Sequence, residues 1–156
     1  MKKEETIRVL YVQPGKCPEE RIIENDLAQM QALVGGLIEP VYPPWEKPDP
    51  DICLVCDDEG KINGSAYNRY IKDFDIIAGS FFICGVGKED FISLTDAQLQ
   101  KYEKLFHNPQ LFTKSPRGLL VAECNPDQYA RVMQDREAAK KARQEIAKKA
   151  KGREER

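Results

Sequence analysis

One stretch constrains this chain more than any other. Residues 75–85 read Asp-Ile-Ile-Ala-Gly-Ser-Phe-Phe-Ile-Cys-Gly, the most apolar run in the sequence. Its β-branched and aromatic content predicts one or two central strands, with Gly79 marking a bend or bulge. Central strands need neighbours, and the surrounding pattern supplies them. Residues 7–12 (Ile-Arg-Val-Leu-Tyr-Val) form a strand that stops at Pro14-Gly15, and a short strand around 21–23 pairs back on it as a hairpin. Further strands are expected at 37–42 and 52–56. Between them Pro43-Pro44-Trp45-Glu46-Lys47-Pro48-Asp49-Pro50 can hold neither a helix nor a central strand, so it is an exposed loop. Residues 57–61 are a turn in which Gly60 is expected at positive φ. Ile62 then restarts a short strand, and residues 65–71 are expected to form a helical turn.

Helix boundaries are written more sharply. Asn25 or Asp26 caps a helix whose Leu27, Met30, Gln31 and Val34 follow the helical period and which ends at Gly35-Gly36. Thr95 and Gln98 form a capping box, with Leu94 and Leu99 as a hydrophobic staple. That helix is expected from Asp96 to about His107, burying Leu99, Tyr102, Leu105 and Phe106. A loop containing Pro109, Pro116 and Gly118 follows, and residues 119–122 form a short strand. Asn125-Pro126 opens the last helix, which runs to about Lys151. The predicted class is therefore α+β: a mixed, mostly antiparallel sheet of about five strands, two packed helices and a protruding C-terminal helix. Residues 1–124 form the domain and 125–156 the charged helix.

Charged residues make up 32% of the chain, above the usual quarter, and the excess has an address. Lys and Arg outnumber Asp and Glu from Arg131 to the end, whereas acids dominate before it, so the net charge of −2 conceals an acidic body with a basic tail. No apolar run approaches the roughly 18 residues of a membrane span, and the first residues carry no secretory pattern. A cytoplasmic protein without a membrane partner is expected, with its 5 cysteines reduced.

The candidate chemistry is thin. Cys53 and Cys56 have CxxC spacing, but within a strand they point to opposite faces and no further ligands converge, so neither a zinc site nor a redox motif is expected. His107 lacks a positioned nucleophile or orienting acid. Gly85-Val86-Gly87-Lys88 matches no phosphate-loop spacing, and Asp57-Asp58-Glu59 lacks the EF-hand pattern. No catalytic residue, metal or cofactor is assigned. Tyr67-Asn68-Arg69-Tyr70 differs in kind, because Arg can fork onto phosphate or carboxylate, Asn can read an amide edge and Tyr can stack. Those four residues, together with Gly35 and Gly36, are the candidate ligand site.

Several segments together resemble a known family. They are Pro14-Gly15, Leu33-Val34-Gly35-Gly36 with Glu39, Leu54-Val55-Cys56-Asp57-Asp58-Glu59-Gly60-Lys61, Asn68-Arg69, and Asp75-Ile76-Ile77-Ala78-Gly79-Ser80-Phe81-Phe82-Ile83. Their order resembles the domain-of-unknown-function family numbered three-eight-four-six, found in bacteria, plasmids, conjugative elements and phages. The resemblance spans about residues 7–106 and implies a genomic context rather than a reaction. The resulting expectation is a non-enzymatic accessory or anti-defence protein of a phage or mobile element, binding a host protein or a small anionic ligand. One alternative is a nucleic-acid-binding module using Lys140, Lys141, Arg143, Lys148 and Lys149. Another is an enzyme with a site built from Asp, Glu, Tyr and Arg. Self-association through the last helix or an edge strand is also open.

Overall fold

The computed structural model describes residues 5–42, 51–72 and 74–154, so the expected Pro-rich loop at 43–50 lies outside the described residues. β1 (Thr6–Val12) is met antiparallel by β2 (Glu19–Glu24), with Thr6 opposite Glu24 and Tyr11 opposite Glu19. Asp26 caps α1 (Leu27–Val34), its carboxylate accepting from the Gln29 amide at 2.7 Å, and Gly35 ends the helix at φ 86°. β3 (Ile38–Val41) and β4 (Ile52–Asp57) pair antiparallel. β5 (Tyr67–Ile71) and β6 (Asp75–Ala78) make a separate hairpin, followed by β7 (Phe81–Val86) and the short β8 (Phe91–Ile92). After α2 (Asp96–Leu105) come a second hairpin, β9 (Gln110–Ser115) with β10 (Gly118–Glu123), and the long α3 (Pro126–Glu154).

The main sheet runs β2-β1-β7-β4-β3, with β8 added to β7, and every pairing in it is antiparallel. Its three central strands are apolar at odd and even positions alike, so both faces are covered. Leu10, Val12, Ile52, Leu54, Phe81 and Ile83 face α2 and the β5–β6 hairpin, where Leu94, Leu99, Tyr102 and Phe106 close the core. Val9, Tyr11, Cys53, Val55, Phe82 and Cys84 face α1, which contributes Met30 and Val34. Each such buried Ile, Leu or Phe stabilises the fold by roughly 1.5–3 kcal/mol relative to exposure. The fold is α+β, as the sequence predicts. The apolar run is indeed two strands, split by Gly79 at φ 82°, but they belong to different sheets.

Several local expectations are corrected. Residues 67–71 are a strand rather than a helical turn. A register irregularity between Tyr67 and Arg69 breaks the two-residue alternation and leaves an exposed-buried-buried-exposed-buried pattern that imitates helical spacing. Ile62 lies in a turn and is 83% exposed, not in a strand. The positive φ of this region falls on Gly64, at 75°, and not on Gly60. Gly60 is instead required by close approach, since a Cβ there would stand 2.5 Å from the Ala78 carbonyl oxygen. The capping box of α2 forms as expected and Leu94 and Leu99 are buried in the same core, but the helix stops at Leu105, which is exposed. Leu27 is likewise exposed. The expected loop after α2 is largely strand β9, whose partner β10 contains the predicted 119–122 segment.

Candidate functional site

Asn68 and Arg69 are 0% and 1% exposed, both turned inward by the irregularity in β5. The Asn68 amide nitrogen donates to the carbonyls of Val12 and Gly79, each at 2.9 Å, and its oxygen accepts from Arg69 Nη1 at 2.8 Å. Arg69 also donates from Nη1 to the Asn68 carbonyl at 3.2 Å, and from Nη2 to Lys16 O at 2.8 Å and Phe106 O at 2.9 Å. Nε completes the set on Phe106 O at 3.3 Å. A guanidinium has five N–H groups, and these contacts occupy all of them with neutral acceptors. Phe106 is the C-cap of α2, so the cation meets the negative end of that helix. Burial lowers the Arg69 pKa to about 10, partly opposed by the nearby Cys17, Cys124, Tyr129 and Glu123, and the group stays charged at neutral pH. The pair is a clasp joining the β1–β2 loop, the Gly79 turn and the end of α2. No donor of the fork is left for a ligand anion.

The flanking tyrosines are accessible. Tyr67 packs edge-on against Phe112 at 5.5 Å between centroids, and the Tyr70 amide donates to Gln110 Oε1 at 2.7 Å. Gly35 and Gly36 end the helix on the other face of the main sheet, so the structure does not bring them together with Asn68-Arg69. Their neighbour is the turn after β4. A Cβ on Gly36 would lie 2.6 Å from Asp57 Oδ1, and the Asp58 amide donates to Leu37 O at 2.8 Å. Asp57 is buried, with Oδ1 accepting from the Glu59 amide at 3.0 Å.

Beside this turn lies a cleft of about 290 Å³ between β3–β4 and β6, lined by Glu39, Asp57, Asp58, Glu59, Asp75 and Lys61 among others. Lys61 is bonded to Asp75, which holds that carboxyl below its ordinary range. Desolvation, and then the hydrogen-bonded Asp58 carboxyl, raise the Glu39 pKa. Excess negative charge makes the cleft hostile to an anion. A hollow of about 400 Å³ at the start of α1 sets Asp26, Glu89 and Asp90 against Lys88, with the same consequence. Gly85 and Val86 end β7 and Gly87-Lys88 begins the turn to β8 there, closed by the Gly87 amide on Asp90 O at 2.8 Å. Among the described residues no group of three or more His, Cys, Asp or Glu is arranged to hold a metal ion.

Cys53 and Cys56 point into opposite cores, as residues three apart in a strand must. The sulfur near Cys53 is that of Cys84, directly across the β4–β7 ladder at 3.6 Å, a neighbour visible only once the register is known. His107 Nδ1 lies 2.7 Å from Glu103 Oε1 on the surface, one helical turn away.

A match to the domain of unknown function 3846 covers residues 7–107. The chain belongs to this family. No curated protein and no solved structure matches it. The DUF3846 domain runs from β1 to the residue after the Arg69-bound C-cap of α2 and includes the clasp and the acidic cleft. The β9–β10 hairpin and α3 lie beyond it.

That extension is anchored at its base. Asn125 and Gln128 exchange side-chain bonds with each other's amides at 2.8 and 2.9 Å. The Tyr129 ring occupies the space above Gly15, and Arg136 donates to Phe112 O at 2.9 Å and Thr113 Oγ1 at 2.8 Å. From Gln134 to Arg153 every residue of α3 is exposed. The helical period places Lys141 and Lys148 on one face with Lys151, a residue outside the expected set, and sets Lys140 beside Lys151 at its edge, whereas Arg143 and Lys149 lie elsewhere. Ala139, Ala142, Ile146 and Ala150 form a narrow seam opposite Lys141 and Lys148, flanked by Arg143 and Lys149. No helix among the described residues is long and apolar enough to cross a membrane.

Proposed function

We propose that the chain is a non-enzymatic binding protein of a phage or other mobile element that uses α3 to engage an acidic helical segment of a host protein. The carrying observation is the division of labour along the chain. The best anion-binding side chain of the body, Arg69, is consumed by the fold, while residues 134–153 of α3 are exposed beyond an anchored base. A seam of small residues with Ile146 at its centre and basic side chains on both flanks suits a helix with acidic flanks, in the manner of coiled-coil pairing. The acidic cleft and hollow favour a protein partner over a small anionic ligand. Full-length protein carrying a photo-crosslinker beside Ile146 should capture one host protein, and Ile146→Glu should abolish that capture. Equal capture by the variant would defeat the reading.

A second reading has one observation in its favour, the lysine face formed by Lys141, Lys148 and Lys151. A helix neutralising phosphates would bind nucleic acid with steep salt dependence. Gel shifts across salt concentrations decide it. Binding that persists after removal of residues 131–156 removes α3 from consideration.

A further inference from the structure

The second hairpin carries an unused edge. β9 pairs with β10 on one side and meets β5 on the other through Gln110. Among the described residues β10 pairs with β9 alone, so alternate amides and carbonyls along its outer side are left without a strand. All six residues of β10 are exposed, and Leu120 at its centre is 59% exposed. The strand contains no lysine, proline or bulge of the kind that normally protects an edge.

We propose that β10 is a self-association strand, pairing antiparallel with β10 of a second copy so that the two hairpins make one four-stranded sheet. Its sequence is self-complementary in one register. With Leu120 opposite its own counterpart, Leu119 meets Val121, Gly118 meets Ala122, and Arg117, just before the strand, meets Glu123. The charge match therefore occurs twice, once at each end of the pairing. A twofold axis perpendicular to the sheet keeps like faces together, so alternative registers differ by two residues along each strand. Centring on Val121 would set Leu119 against Glu123, and centring on Leu119 would set Arg117 against Val121. Among these neighbouring registers, the Leu120-centred one alone joins apolar to apolar and opposite charge to opposite charge. Glu123 Oε2 already accepts from Asn108 Nδ2 at 3.3 Å, which holds the carboxylate at the strand end and leaves its other oxygen for the arginine. This complementarity lies within one strand, which identifies the partner as another copy of the chain.

The test uses the full chain in sedimentation velocity over a range of concentrations. A concentration-dependent dimer is expected. Arg117→Glu and Glu123→Arg should each weaken it by roughly three- to tenfold, as like charges come to face each other across the strands. Mixing the two single variants should restore association as a heterodimer, because each end then again joins opposite charges, and the double variant should regain the homodimer. Circular dichroism should be unchanged throughout, since both residues are exposed. A monomer at every concentration, a dimer indifferent to both reversals, or no recovery on mixing would each overturn the proposal.

Discussion

The guanidinium of Arg69 reaches the Phe106 carbonyl twice, through Nε at 3.3 Å and Nη2 at 2.9 Å, so that a buried cation closes the end of α2. The same group holds Lys16 O and both oxygens of Asn68. Arg69→Ala would take a donor from each of these acceptors and should cost roughly 3 kcal/mol or more in urea denaturation. Arg69→Lys keeps the charge but presents its donors from a single point, and should still cost about 1–2 kcal/mol. Stability within about 0.5 kcal/mol of wild type for both, the range of an ordinary surface substitution, would show that the clasp does not support the fold.

How much of this was legible in the sequence depended on whether the signal was local. The Thr95–Gln98 box, the Asp26 cap, the Gly35 stop and the split at Gly79 are local, and all are where the pattern places them. β5 was missed because its bulge erases alternation, and that same bulge buries Arg69 beside Asn68. A solvated arginine and a buried one look alike when the acceptors are carbonyls 37 and 53 residues away. β9 was hidden by Pro109 and Pro116, which lie just outside the strand rather than within it. The pairing of Cys53 with Cys84 and the seating of Tyr129 over Gly15 depend on register and docking, which composition and spacing do not encode.

Gly36 and Asp57 offer a test of the corner where α1 meets β4. Gly36 has no positive φ to protect, so its intolerance of a side chain is a matter of space alone. Gly36→Ala should destabilise by about 1–3 kcal/mol through crowding against the buried carboxylate. Asp57→Ala should relieve part of that cost, giving a non-additive double-mutant cycle. Gly35→Ala meets no neighbour and should lose only about 1 kcal/mol, from its left-handed backbone. Additive losses at positions 36 and 57 would refute the steric account.

The five thiols should divide into two classes. Cys53, Cys56 and Cys84 are buried, whereas Cys17 and Cys124 are only half-buried. Burial pushes Cys56 up to about 12, with Glu39, Asp57 and Asp58 adding to it. The Cys84 thiol is raised first by its hydrogen bond with Cys53 and then by burial. A thiol reagent at neutral pH should label Cys17 and Cys124 in the native protein and reach the other three only on unfolding, because the thiolate is the reacting form. Mass spectrometry after a short pulse of reagent reads the sites directly. Early labelling at Cys53 or Cys84 would contradict the packing of β4 against β7.

The Glu39–Asp58 pair gives the acidic cleft a pH signature. Desolvation and then Asp58 raise the Glu39 pKa from its ordinary 4.5, so the folded chain holds that proton more tightly than the unfolded chain does. The stabilising contribution is complete below pH 4.5 and is lost as the pH rises through the raised native value. Glu39→Gln mimics the protonated form at every pH. It should match wild type in acid and become the more stable of the two as the pH approaches neutrality. Exposure and screening keep the gain under about 1 kcal/mol. Asp75 has the opposite sign: its hydrogen bond from Lys61 lowers its pKa from 3.8, so its contribution is present above that value and is lost as the pH falls through the depressed native one. Urea titrations of wild type and both single variants, Glu39→Gln and Asp75→Asn, between about pH 3 and pH 7 separate the two. A difference between Glu39→Gln and wild type that does not change with pH would mean the two carboxyls do not share a proton, and the cleft would then carry its charge on independent side chains.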